Sequence, residues 1–78
     1  MTVQNAINKV NKWAEVKHDG YSYVARKGNR IIEFTRNGHS DSVATIRIRS
    51  ISDSDDSQSD YTAGVFCDSI AQALRLSN

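Results

Sequence analysis

The reactive side chains of this 78-residue sequence include two histidines, one cysteine and many serines and aspartates. His39 lies in an Asn-Gly-His-Ser-Asp stretch, which has neither a nucleophile elbow nor the glycine pattern of an oxyanion hole. His18 follows an amphipathic segment, and we expect it at a helix end, where the helix dipole favours an imidazolium. We interpret both histidines as surface residues. The sequence predicts no nucleophilic catalysis, and we expect the protein not to be an enzyme.

Cys67 is the only cysteine of the chain, which excludes an internal disulfide and is typical of a reducing cytoplasm. It lies between Phe66 and a predicted helix start, a position that would lower its pKa slightly. We nevertheless interpret it as a buried structural residue. The chain has no long apolar run and no basic segment leading into one. We therefore expect a cytoplasmic protein with no membrane partner.

Residues 52–60 contain no apolar side chain and carry four carboxylates, namely Asp53, Asp55, Asp56 and Asp60. An EF-hand counted from Asp53 would need glycine at its sixth position and glutamate at its twelfth, where this chain has Gln58 and Gly64. We therefore expect neither a metal site nor another cofactor. The stretch predicts a solvated acidic loop. It is either a linker or a protein-binding surface that offers carboxylates to the lysines and arginines of a partner.

Positive charge is concentrated in the first fifty residues, which hold nine Lys and Arg against four Asp and Glu. Six of these residues form a possible nucleic-acid-binding patch on one sheet face and at the hairpin ends: Arg26, Lys27, Arg30, Arg36, Arg47 and Arg49. The predicted element order also matches that of the double-stranded-RNA-binding domain, whose last helix has a basic N-terminus. Here that helix starts with the acidic Asp68, so the resemblance is one of topology only.

These residues must be positioned by two helices and a sheet. Apolar residues at helical spacing predict a first helix over residues 3–16, with Thr2 as N-cap and Gly20 beyond its end. The apolar stripe comprises Val3, Ala6, Ile7, Val10, Trp13 and Ala14. We interpret Trp13 as a core residue because it belongs to this stripe, although an indole can also stack on a ligand.

Residues 21–51 alternate between apolar and polar side chains and predict a three-stranded antiparallel meander. A turn at Gly28-Asn29 would pair Tyr23 with Phe34 and Ala25 with Ile32. The second connection is either a two-residue turn at Asn37-Gly38 or a five-residue loop over 37–41. The longer loop places Phe34 opposite Ala44 and Ile32 opposite Ile46. We prefer it because it buries three apolar residues of the third strand together: Ala44, Ile46 and Ile48.

The other face of the meander has a mixed composition, with Glu33 placed to offset Arg47. Its residues are Val24, Arg26, Ile31, Glu33, Thr35, Val43, Thr45, Arg47 and Arg49. The first strand, Tyr21 to Lys27, should be an exposed edge, and exposed edges invite pairing. We therefore expect a homodimer built on that edge or on this outer face.

A fourth strand is predicted from Tyr61 to Phe66, paired with the third, with Gly64 allowing close approach or a bulge. Asp68 is expected to cap a final helix from Ser69 to Leu76. The complete prediction is one α+β two-layer domain over residues 1–78, with an N-terminal helix, an antiparallel meander of three to four strands and a short C-terminal helix. Both helices should pack on the face that carries Tyr23, Ile32, Phe34 and Ile46.

Residues 60–74 follow the pattern D-Y-x-x-G-x-F-x-x-S-I-x-x-A-L. This pattern resembles the strand-into-helix endings of small phage and plasmid accessory proteins, including modules within large polyvalent phage proteins. The resemblance supplies no catalytic residue. It implies an anti-CRISPR-like protein of a mobile element that binds a larger host protein or nucleoprotein complex and inhibits or modulates it. A small nucleic-acid-binding protein that uses the basic sheet face is the alternative.

Overall fold

The computed structural model describes residues 1–50 and 64–77. It contains two helices, α1 (Val3–Asn11) and α2 (Ile70–Ser77). Its five strands are β1 (Val16–His18), β2 (Ser22–Lys27), β3 (Arg30–Arg36), β4 (Val43–Ser50) and β5 (Val65–Phe66). The strands form one antiparallel sheet in chain order. The predicted α+β fold is confirmed, with five strands where three or four were predicted.

Helix α1 begins at its predicted N-cap, because the Thr2 hydroxyl accepts a hydrogen bond from the Asn5 N–H at 3.1 Å. The prediction that it continues to residue 16 is wrong. The Asn11 side-chain carbonyl accepts the Val16 N–H at 2.8 Å, and a side chain that bonds locally to the backbone competes with helix continuation. Residues 16–18 instead pair with β2 and form a strand. The β-branched side chain of Val16 favours this conformation.

Strand β1 also corrects two further expectations. It pairs with Tyr23 to Ala25, so the predicted first strand, Tyr21 to Lys27, is not the edge strand of the sheet. Gly20 does not end a helix but lies in the connection from β1 to β2, with φ of +94°. The Asp19 carboxylate accepts N–H groups from Tyr21 and Ser22 at 3.0 and 2.7 Å and closes this connection.

The first predicted hairpin is confirmed in full. Tyr23 pairs with Phe34, Ala25 with Ile32 and Lys27 with Arg30 across a two-residue turn. Gly28 in that turn has φ of +62°, a conformation that glycine adopts without steric cost.

The second hairpin differs from its predicted register by two residues. Phe34 lies opposite Ile46, and Ile32 lies opposite Ile48. A shift of two residues preserves the face, so both isoleucines still point towards the core. Ala44, predicted to be buried, is exposed.

Two features account for the changed pairing. The connection spans residues 37–42, one residue more than predicted, and a β-bulge between Phe34 and Arg36 adds the second residue of the shift. The bulge also corrects Val43, which was predicted on the outer face and instead packs against the core. The N-terminus stabilises this arrangement. Val43 donates its N–H to the Met1 carbonyl at 3.1 Å, and Val3 donates its N–H to the Asp41 carbonyl at 2.6 Å.

Strand β5 pairs with β4 as predicted, with Phe66 opposite Arg47 and Val65 opposite Ile48. The predicted strand residues Tyr61 to Ala63 lie outside the described residues. Helix α2 is capped by Ser69, whose hydroxyl accepts the Gln72 N–H at 3.1 Å, and not by Asp68 as predicted. Asp68 instead donates its own N–H to the Gln72 side-chain carbonyl at 2.6 Å.

Both helices pack on the predicted face of the sheet, and this layer is the hydrophobic core. Its buried residues come from the two helices and the three central strands: Val3, Ala6, Val10, Ala25, Ile32, Phe34, Ile46, Ile70 and Ala73. We call the opposite side the outer face. Among the described residues, no helix is long and apolar enough to span a membrane.

Candidate binding surfaces

The structure places the three residues considered for catalysis, His18, His39 and Cys67, in different parts of the fold. His18 lies in β1, not at a helix end, and its ring stacks on Tyr23 with centroids 4.3 Å apart. His39 is exposed in the connection between β3 and β4. Within residues 1–50 and 64–77, no three His, Cys, Asp or Glu side chains are grouped as metal ligands.

Cys67 is half-buried beside the core, and its backbone N–H bonds the Ile46 carbonyl at 2.8 Å. Burial, together with the charge of Asp68, raises the pKa of the Cys67 thiol. The expectation of a slightly lowered pKa is therefore wrong. A raised pKa disfavours the thiolate, which is the nucleophilic form.

The outer face has one row of side chains that crosses all five strands. Strand register places Lys17, Val24, Glu33, Arg47 and Phe66 side by side in that order. Opposed residues in paired strands share a face, so this row is continuous. Its last member, Phe66, is 68% exposed, and the Arg47 guanidinium carbon lies 6.0 Å from the Phe66 ring centroid.

Two arginines of the outer face share one carboxylate. The Glu33 Oε1 accepts hydrogen bonds from Nε and Nη2 of Arg47, the first at 3.0 Å, and its Oε2 accepts from Arg49 Nη2 at 3.4 Å. The Glu33 side chain is only 16% exposed, so this network is shielded from solvent. The predicted pairing of Glu33 with Arg47 is confirmed, and Arg49 joins it.

Of the two roles predicted for Gly64, close approach or a bulge, the close approach is present. A Cβ atom at Gly64 would lie 2.9 Å from Arg47 Cδ and 2.9 Å from Arg49 Cγ. The backbone of residue 64 therefore rests directly against the stems of both arginines. Together with Glu33, it holds the arginine side chains in place.

A groove of about 680 Å³ runs along the outer face beside the arginines. Val24 and Ile31 are its apolar lining residues, and its charged residues, of both signs, come from β1 to β4 and from the positions next to β1. The lining residues are Glu15, Lys17, His18, Asp19, Val24, Arg26, Ile31, Glu33 and Arg49. A groove that combines apolar side chains with charges of both signs can bind a protein surface or a small ligand.

The six residues predicted as a phosphate-binding patch do not form one cluster of free cations. Arg47 and Arg49 are bound to Glu33, and Arg36 is bound to Asp41 at 3.0 Å. A hydrogen bond from Arg36 to the Tyr23 hydroxyl at 3.0 Å, with that from Arg36 to Asp41, raises the Arg36 pKa further. The other three, Arg26, Lys27 and Arg30, lie together at the tip of the first hairpin.

A second depression, of about 340 Å³, was not predicted. It is lined by Lys9, Lys12, Trp13, Lys27 and Leu74. Trp13 packs against the core as expected, but it is only half-buried and contributes to this opening. Lys9, Lys12 and Trp13 are close in sequence, and that spacing is the only signal for the site. The arrival of Lys27 and Leu74 depends on tertiary packing.

The four aspartates predicted as a protein-binding surface, Asp53, Asp55, Asp56 and Asp60, lie outside the described residues. Their part in binding stays a prediction.

Searches against protein-family models, curated proteins and solved structures found no match to this chain.

Proposed function

We propose that this chain is a non-enzymatic binding protein that docks the outer face of its sheet on a larger protein complex. The observation that carries the proposal is the exposed Phe66 ring beside Arg47, which Glu33 and the Gly64 backbone hold in place. Aromatic and arginine side chains supply most interface hot spots. An arginine already fixed in the free protein loses less conformational entropy on binding.

The charge pattern of the outer face favours a protein partner over nucleic acid. Glu33 neutralises part of the charge of Arg47 and Arg49, and the groove beside them also contains Glu15 and Asp19. A surface that binds nucleic acid needs Lys and Arg side chains that are not neutralised by carboxylates, because its affinity for the phosphate backbone comes largely from counterion release. Mixed charge around apolar side chains is typical of the surfaces that bind proteins.

The nature of the partner rests on the sequence. The resemblance of residues 60–74 to phage and plasmid accessory modules supports a mobile-element protein in a host cytoplasm that inhibits or modulates a host complex. The aspartates of residues 53–60 would speed its association with a basic partner.

The test compares two exposed aromatic residues. The wild-type chain, Phe66→Ala and Tyr21→Ala are immobilised, exposed to a lysate of the native host, and the retained proteins are identified by mass spectrometry. Tyr21 is 81% exposed and lies in the connection from β1 to β2, so it is the matched control. Affinity for the purified partner is then measured for each chain.

We expect Phe66→Ala to weaken binding at least about tenfold and Tyr21→Ala to leave it unchanged. Equal affinities for the three chains would contradict docking through the outer face. Absence of any saturable protein partner would contradict the function itself. If the only protein bound is a second copy of this chain, the proposed host complex is wrong and the outer face forms a homodimer.

A further inference from the structure

The depression at Trp13 lies away from the arginine network of the outer face. It forms where the end of α1, the tip of the first hairpin and α2 meet. At about 340 Å³, it is at the small end of the range for ligand pockets, about 300 to 1,000 Å³. Its size is therefore suited to a small molecule or to one unit of a polymer.

The charge of this depression has one sign. Three of its lining residues are lysines, and none is acidic. In the part of the chain that the structure describes, Lys9, Lys12 and Lys27 take part in no ion pair. Three like charges around one opening repel one another, and a bound anion would relieve that repulsion. The lysines on the rim therefore select for a negatively charged ligand.

The lining between the lysines is aromatic and apolar. The Lys27 ammonium nitrogen lies 6.0 Å from the centroid of the Trp13 ring, and Leu74 extends the apolar surface. The Trp13 Nε1 is buried and has no hydrogen-bond partner among the described residues. A phenylalanine here would avoid that unsatisfied donor. What the indole adds over a smaller ring is its larger π surface, which is the part that a planar ligand would use.

We propose that this depression binds a nucleotide, with the base stacked on Trp13 and the phosphate held by Lys9, Lys12 and Lys27. A flat aromatic group joined to an anion matches both halves of the site. Stacking on an aromatic side chain combined with nearby cations is how proteins bind unpaired nucleotides without reading their sequence. The flexible stem of Lys27 lets its ammonium move from above the ring to the phosphate.

The same chemistry is available from a free nucleoside monophosphate and from one nucleotide of an unpaired strand. Trp13 is the only tryptophan of the chain, so its intrinsic fluorescence reports on this site directly. The wild-type protein is titrated in low salt with four probes: adenosine monophosphate, an oligothymidylate, adenosine and inorganic phosphate. We expect saturable quenching by at least one of the first two, and at least about tenfold weaker binding of the last two.

The variants change one or two lysines of the depression, and the control changes one lysine elsewhere. Lys27→Gln and the double variant Lys9→Gln with Lys12→Gln should each weaken binding by about fivefold or more, because each removes phosphate contacts. Lys17→Gln removes the same charge from the outer face and should leave binding unchanged. Trp13→Leu, followed by the anisotropy of a labelled oligothymidylate, should also lose binding. Circular dichroism spectra are recorded to check that each variant is folded.

Quenching by adenosine monophosphate assigns the site to free nucleotides, and quenching by the oligothymidylate alone assigns it to an unpaired strand. The proposal is overturned if neither probe binds saturably, if inorganic phosphate binds as tightly as the nucleotide, or if Lys17→Gln weakens binding as much as Lys27→Gln. These outcomes do not depend on whether the outer face binds a protein.

Discussion

Ile31 and Ile32 are neighbours in β3 that point to opposite faces of the sheet, and both are buried, at 3% and 0% exposure. Ile32 belongs to the core cluster formed with both helices. Ile31 lies on the face that no helix of the described residues covers, with Arg26 and Arg49 as its partners in the adjacent strands. Long arginine stems can cover apolar surface while their charged ends stay near solvent.

The two faces therefore exclude water in different ways. On the core side, helices and strands pack rigid apolar groups against one another. On the outer side, side chains of the sheet itself do the covering, and an ion-pair network and a glycine hold them. Arginine stems can adjust to a smaller residue beneath them while their guanidinium groups stay bound to Glu33, whereas a close-packed core has no such freedom.

The largest predicted effect tests this difference directly. Ile32→Ala should lower the free energy of unfolding by about 2–5 kcal/mol, because the surrounding core cannot collapse into the cavity. Ile31→Ala should cost at most about half as much, because the arginine stems can close over the smaller side chain. Urea denaturation measures both. Lys12→Ala, a change at an exposed position, is the control. Equal losses for the two isoleucines would mean that the faces do not differ.

An intermediate loss of stability is predicted for substitution of Gly64. Its size measures how firmly the arginine stems are held. Gly64→Ala places a Cβ atom 2.9 Å from the stems of Arg47 and Arg49, at a φ of +82°. Gly20→Ala meets the same conformational penalty of about 1–2 kcal/mol at a φ of +94°, but with no atom within 4 Å.

We expect Gly64→Ala to lose about 1 kcal/mol more stability than Gly20→Ala, as extra atoms in a packed site do. Denaturation midpoints for the two variants give the difference. Equal values would show that the arginine stems move aside freely.

The smallest predicted effect concerns Asp19, at the edge of the outer-face groove. Hydrogen bonds from the backbone N–H groups of Ser22 and Tyr21 lower the pKa of Asp19 from its ordinary value. A carboxyl group whose pKa is lower in the folded state contributes stability above its unfolded pKa, and that contribution is lost as pH falls through the folded value. Acidification should therefore weaken the connection between β1 and β2.

We expect the wild type to lose more stability than Asp19→Asn as pH falls from about 5 to about 2, measured by urea midpoints along that range. The difference will be small because Asp19 is exposed. Lys17→Gln changes net charge on the adjacent strand without removing a carboxyl group, and it should keep the wild-type slope. Parallel slopes for the wild type and Asp19→Asn would show that these hydrogen bonds do not favour the ionised carboxyl.

The candidate sites were only partly predictable. The meeting of Glu33 with Arg47 follows from the alternation of side chains along adjacent strands, which places both on one face. Gly64 was predicted to allow close approach or a bulge, and the two arginines that approach it were not predicted. The lysine cluster at Trp13 was missed, because Lys27 reaches it only after the first hairpin packs beside α1.

By itself, the sequence determined the features that depend on neighbours along the chain. These are the N-cap at Thr2, the register of the Gly28-Asn29 hairpin and the face to which Ile32 and Phe34 point. Only the tertiary structure decided the rest. Residues 16–18 became a strand because β2 offers backbone partners. The second hairpin has a β-bulge and a longer connection, and hydrogen bonds of Met1 and Val3 with residues 41–43 stabilise this arrangement. Such contacts join segments distant in sequence, so no local pattern of residue types records them.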